Sequence, residues 1–97
     1  MFVVKLTLNT LDKVKDFVST ADKCNFRIDI KQQHYTVNAK SILGMLSLDI
    51  TKPVIAEFNS QLHEEKAFAL ELKLDPWNGE IIKETQETLS TKPWFSI

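Results

Sequence analysis

The chain has one cysteine, two glycines and no run of apolar residues near the roughly 20 that a membrane span requires. A single thiol, Cys24, cannot close an internal disulfide, which excludes the cross-linked frameworks of small secreted domains. It reads as a small, half-buried side chain near the end of a helix. The opening Met-Phe-Val-Val-Lys-Leu-Thr-Leu carries no basic segment followed by a long apolar stretch, so it is not read as a signal peptide. A reduced, cytoplasmic setting without membrane contact is expected. With only Gly44 and Gly79, no glycine-rich loop is available to cradle a phosphate. Charge of one sign is also missing: 12 basic residues against 13 acidic ones give a net charge of −1, and the lysines are scattered singly. That excludes the basic face of a nucleic-acid binder. The two histidines, His34 and His63, have no partners at metal-ligand spacing and read as exposed side chains, so no metal or cofactor is expected. No Ser/His/Asp set and no paired carboxylates on one helix face are present, and the chain is not read as an enzyme.

What is present is an ordinary globular composition, 43% apolar and 26% charged over 97 residues, enough for one domain with a single modest core. Phe2, Val4, Leu6 and Leu8 alternate, predicting a half-buried strand over 2–8. Asn9 and Thr10 offer capping oxygens, and Leu11, Val14, Phe17, Val18 and Ala21 follow at helical spacing, predicting a helix over 11–23. Asn9 with Asp12 resembles a capping pair. Phe26, Ile28 and Ile30 form a second strand, Gln33-His34 a turn of weak hairpin chemistry, and Tyr35 to Asn38 a third strand. Ser41 caps a short helix over 42–47, and Val54, Ala56 and Phe58 alternate into a fourth strand. Residues 62–74 are ambiguous. His63 to Ala67 suit a helix, whereas Phe68, Leu70, Leu72 and Leu74 alternate as a strand does. Asp75 to Gly79 is a break or a new helix start, and 80–90 read as a weak helix through Ile81, Ile82, Thr85 and Leu89. The terminal Trp94, Phe95 and Ile97 either dock on the domain or mark a partner contact.

The stretch Val37-Asn38-Ala39-Lys40-Ser41-Ile42-Leu43-Gly44-Met45-Leu46-Ser47-Leu48 looks like the V-N-A-K-S-I-M-G-V-L-S-L pattern of HPr, the small phosphocarrier of the bacterial sugar phosphotransferase system. Phe26 to Leu48 aligns with that family without a gap. The resemblance implies an α+β fold, an open-faced β-sandwich with a four-stranded antiparallel sheet covered on one face by helices in the order βαββαβα. It implies an HPr-like domain over 1–74 and a C-terminal extension over 75–97, a docked helix or tail or a partner contact. A helix over 62–74 is therefore favoured.

In that family the loop before the first helix reads roughly G-L-H-A-R-P, and its histidine accepts the phosphoryl group. With Phe17-Val18 set on the corresponding helix positions, Thr10 falls near the histidine, Asp12 near the arginine and Lys13 near the proline. Threonine cannot form a phosphoramidate, and Asp12 repels a phosphate where the family attracts one. No histidine occurs before residue 34. The resemblance makes Ser41 the candidate for the serine that the HPr kinase modifies. A phosphoserine there adds about −1.5 to −2 of charge at a helix N-cap. Ile42, Leu43, Met45 and Leu46 supply an apolar partner-binding patch beside it. The plainer reading is that Ser41 is only a cap.

Retention of the serine without the histidine looks like the catabolite-repression paralogue of HPr, which serves a transcription factor as a phosphoserine-dependent co-repressor. The expectation is a regulatory, protein-binding module whose partner is the HPr kinase or a transcription factor, with a homodimer through the extension as a further option. Its alternatives are a phosphocarrier with a non-standard acceptor and an accessory domain in which both sites are relics.

Overall fold

A computed structural model describes residues 1–59 and 63–84. They run β1 (Phe2–Leu6), α1 (Leu11–Asp22), β2 (Ile28–Gln32), β3 (Tyr35–Asn38), α2 (Ile42–Leu46), β4 (Val54–Phe58), α3 (Glu64–Leu72) and β5 (Glu80–Glu84). The strands form one antiparallel sheet in the order β3-β2-β4-β1-β5. The architecture is the expected α+β open-faced sandwich with a fifth strand added. No helix among the described residues is long and apolar enough to cross a membrane.

Strand alternation builds the core directly. Phe2, Val4 and Leu6, Ile28 and Ile30, and Val54, Ala56 and Phe58 are all buried, and register places them on one face. Val14, Phe17 and Ala21 from α1, Met45 from α2, and Phe68, Ala69 and Leu72 from α3 close over that face. The intervening residues Val3, Lys5, Asp29, Lys31, Ile55 and Glu57 face the other way and stay half-buried or exposed. There Lys31 Nζ meets Glu57 Oε1 at 3.0 Å across the strands. Such a surface pair contributes little to stability.

The rings concentrate the packing. Phe68 lies 5.0 Å from Phe58 in an edge arrangement, and Phe17 lies 5.5 Å from Trp77 at 80°. Edge contacts of this kind stabilise beyond simple area burial.

Over Glu64–Leu72 the ambiguity resolves as a helix. A strand would put Phe68, Leu70, Leu72 and Leu74 on one side. Instead Phe68, Ala69 and Leu72 are buried while Leu70 and Leu74 are exposed, which is the helical period. Residues 80–84 overturn the expected helix: they form β5 along β1, with Val4 opposite Ile81 and a bulge between Val3 and Val4. Without β5 the outer edge of β1 would present unpaired amides and carbonyls, and Ile81-Ile82 suits a pleated edge. The part of the expected extension that is described thus docks as loop and strand. Trp77 joins the main core cluster and Ile81 packs on it. A Cβ on Gly79 would come within 3.0 Å of both the Leu72 carbonyl and Val4 Cγ1, which is why the chain needs glycine to turn into β5 there. Residues 85–97, with Trp94 and Phe95, lie outside the described residues.

One local reading changes as well. Asn9 does not cap α1. It takes a left-handed φ of 66°, and its N–H donates to the Ile50 carbonyl at 2.9 Å. The Gln33-His34 hairpin forms despite its weak turn chemistry, with Gln33 at φ 54°. A tertiary clamp holds it: Gln32 Nε2 donates to the Asp49 carbonyl at 2.8 Å and Gln32 Oε1 accepts the Asp49 N–H at 2.9 Å.

Candidate functional site

Two neighbouring helices carry the candidate residues. The Lys40 ammonium donates to the Cys24 carbonyl just past the end of α1, and Ile50, beyond α2, holds Asn9 before the start of α1. The two helices therefore run in opposite senses, and the far end of α2 lies by the start of α1.

At that start, Thr10 is the N-cap. Its backbone is extended (φ −127°, ψ 156°), and its Oγ1 accepts the Lys13 N–H at 3.2 Å. The hydroxyl is thus engaged in ordinary capping, with Asp12 in the first turn beside it. Neither histidine is close. His34 lies in the β2–β3 turn, with β2 and β4 between β3 and β1. His63 precedes α3 next to the Phe2 end of β1, where the N-terminal ammonium meets Glu65 at 3.7 Å. Both are exposed.

The Asn38-to-Met45 stretch has a structural task for nearly every residue. Asn38 Oδ1 accepts the Lys40 N–H at 2.8 Å, a local side-chain turn. Ala39 is fully buried and donates its N–H to the Ile28 carbonyl at 2.9 Å. Lys40 Nζ reaches the Cys24 carbonyl at 2.7 Å, so its charge serves the end of α1 rather than Ser41. Ser41, extended at φ −106° and ψ 112°, accepts the Gly44 N–H on its Oγ at 3.1 Å. At Gly44 a Cβ would approach Val37 Cβ and Ser41 Oγ at 3.3 Å, so the short helix can lie close against β3. Ser41→Ala is expected to lose about 1 kcal/mol of stability through the vacated cap, read as a lower denaturation midpoint with an unchanged slope.

The expected apolar patch divides. Met45 is 1% exposed and belongs to the core, a correction to its reading as a partner contact: at this helical position it points onto the sheet. Ile42 is half-buried against the core. Leu43 is 79% and Leu46 44% exposed, and Leu11, at the first position of α1, is 46% exposed. The helical spacing put Leu11 with the apolar residues of α1, but at the first helical position it stays outside the core.

Burial pushes the Cys24 thiol up, with Lys40 pulling it the other way. Asp49 is held below its usual range by the hydroxyl and amide of Thr51. Neither arrangement makes a nucleophile or an acid–base pair.

A family model described as the PTS HPr component phosphorylation site matches residues 13–72, beginning C-terminal to Thr10. Among solved structures, the crystal structure of HPr-C-His from Thermoanaerobacter tengcongensis is similar to this chain with a TM-score of 0.61. The two share 28% sequence identity, over 74% of this chain and 90% of that one. No curated protein sequence matches.

Proposed function

The chain belongs to the HPr family of phosphotransferase-system phosphocarriers, and from that premise we propose that it is a member without histidine phosphotransfer, a regulatory module that binds proteins through α2 and takes its phosphoryl group, if any, on Ser41. Members of the family carry phosphoryl groups between other proteins of the system and are not enzymes themselves.

The observation that carries this reading is the surface of α2. Ser41 is exposed at its N-cap, and Leu43 and Leu46, two and five positions on, are exposed on the same short helix. A phosphoryl group on Ser41 Oγ changes the charge of that surface without asking the fold to move, because Ser41 is already outside the core. The two leucines give a partner apolar area to bury. The start of α1 supports the other half of the reading: the position near the family's acceptor holds Thr10, with its hydroxyl used as a cap, and Asp12 replaces a helper of opposite charge. The HPr kinase and a transcription factor are the two proposed partners.

The test has two arms on the full chain. Phosphoenolpyruvate with Enzyme I is expected to leave no acid-labile phosphate on the protein. HPr kinase with ATP is expected to place acid-stable phosphate on Ser41 and none on Ser41→Ala. Acid-labile phosphate in the first arm would show a carrier with another acceptor. No incorporation in the second, together with no effect of Ser41→Asp on partner binding, would leave an accessory domain.

A further inference from the structure

We propose that the groove between the end of β1, the start of α1 and the Pro76–Glu80 segment binds a small organic phosphate that carries hydroxyl groups. The groove has a volume of about 350 Å³, and Lys5, Asn9, Lys13, Trp77, Asn78 and Glu80 are among its lining residues. That volume lies within the range of roughly 300–1,000 Å³ that holds small ligands.

Its chemistry is rich in unused donors. The ammonium groups of Lys5 and Lys13 make no ion pair or hydrogen bond among the described residues. Trp77 is 5% exposed, yet its indole N–H has no partner among the described residues and is not sealed away from solvent. A tryptophan buried to that degree normally gives its N–H a partner. Two unpaired cations lining a single groove beside Trp77 suit a doubly charged phosphate, which ammonium groups hold through charge-assisted hydrogen bonds. Glu80 and the amide oxygens of Asn9 and Asn78 are acceptors on the same groove. They disfavour a bare polyanion and suit the protons of hydroxyl groups. A phosphate ester of a small polyol satisfies both sets.

The groove adjoins Thr10, the position set near the family's acceptor, but Asp12 is not among its lining residues. Of these six residues only Lys13 falls within 13–72. It exists because the chain turns at Gly79 and pairs β5 with β1. It does not include Ser41, and it stands or falls independently of the regulatory reading.

The test is a nuclear magnetic resonance titration of the full chain with glycerol 3-phosphate, with inorganic phosphate and glycerol as parallel arms. Saturable shifts are expected at the amides of Asn9, Lys13 and Gly79 and at the Trp77 indole N–H. Inorganic phosphate and glycerol should each bind more weakly. Lys5→Gln and Lys13→Gln should each weaken glycerol 3-phosphate about tenfold, the scale of losing one charged hydrogen bond, without changing the melting temperature. Lys5 is exposed on the sheet, so its variant keeps the test valid if the half-buried Lys13 proves necessary for folding. The proposal is overturned by unsaturable or absent shifts at these sites to millimolar ligand, by inorganic phosphate binding as tightly as the ester, or by affinity unchanged in both lysine variants.

Discussion

Trp77→Ala is expected to cost about 3–5 kcal/mol of folding stability, a large part of the roughly 5–15 kcal/mol that holds a domain together. Trp77 is buried against Phe17 at 5.5 Å and belongs to the same core as β1 and α3. Removing its ring opens a cavity that the sheet on one side and α1 on the other cannot easily close. It also frees the segment whose N–H groups at Trp77, Asn78 and Gly79 bond to the Leu74 and Leu72 carbonyls. Urea denaturation checks this: the midpoint should fall sharply with the slope unchanged. Leu74→Ala, at a residue 63% exposed three positions earlier, should move stability by no more than about 0.5 kcal/mol. If Trp77→Ala cost less than about 1 kcal/mol, residues beyond 74 would be an appendage rather than part of the folding unit.

The second large effect separates the two roles within α2. Met45→Ala should destabilise by about 2–5 kcal/mol, because the side chain is buried in the core and leaves a cavity when cut back. Leu43→Ala should leave stability within about 0.5 kcal/mol of the parent, since that side chain lies in water. On the proposed regulatory reading, the same Leu43→Ala should slow modification of Ser41 by the HPr kinase by about tenfold, the worth of one leucine buried at an interface. The pair is read by denaturation and by the kinase kcat/KM on intact chains. A Met45→Ala that stays fully stable would put Met45 back on the surface. A Leu43→Ala modified at the parent rate would remove Leu43 from the proposed contact.

Much of this was legible because short-range physics governs it. Alternation at Phe2-Val4-Leu6 and at Val54-Ala56-Phe58 specifies which face of each strand is wet, and the structure follows it residue by residue. Ser41 as a cap needs only a hydroxyl before a short apolar helix, and its bond to Gly44 is local. Thr10 was legible as an alternative cap to Asn9. What selected it was the Asn9 N–H being drawn to Ile50, a residue 41 positions away and thus invisible to a local pattern.

The remaining decisions needed the whole sheet. For residues 64–72 local sequence offered two periods, and burial of Phe68, Ala69 and Leu72 against Phe17 and Phe58 selected the helical one. For residues 80–84 weak helical spacing lost to the open edge of β1, where backbone groups that face β1 gain partners by pairing. The division of Ile42, Leu43, Met45 and Leu46 into core and surface depended on which side of α2 packs against the core. By itself, then, the sequence determined the α+β order, the strand faces, the Ser41 cap and the absence of histidine before α1, because each depends on residues a few positions apart. Only the tertiary structure decided that the chain past Leu74 completes the core and lines a polar groove. Those contacts join Trp77 to Phe17 and Ile81 to Val4, pairs that no local periodicity relates.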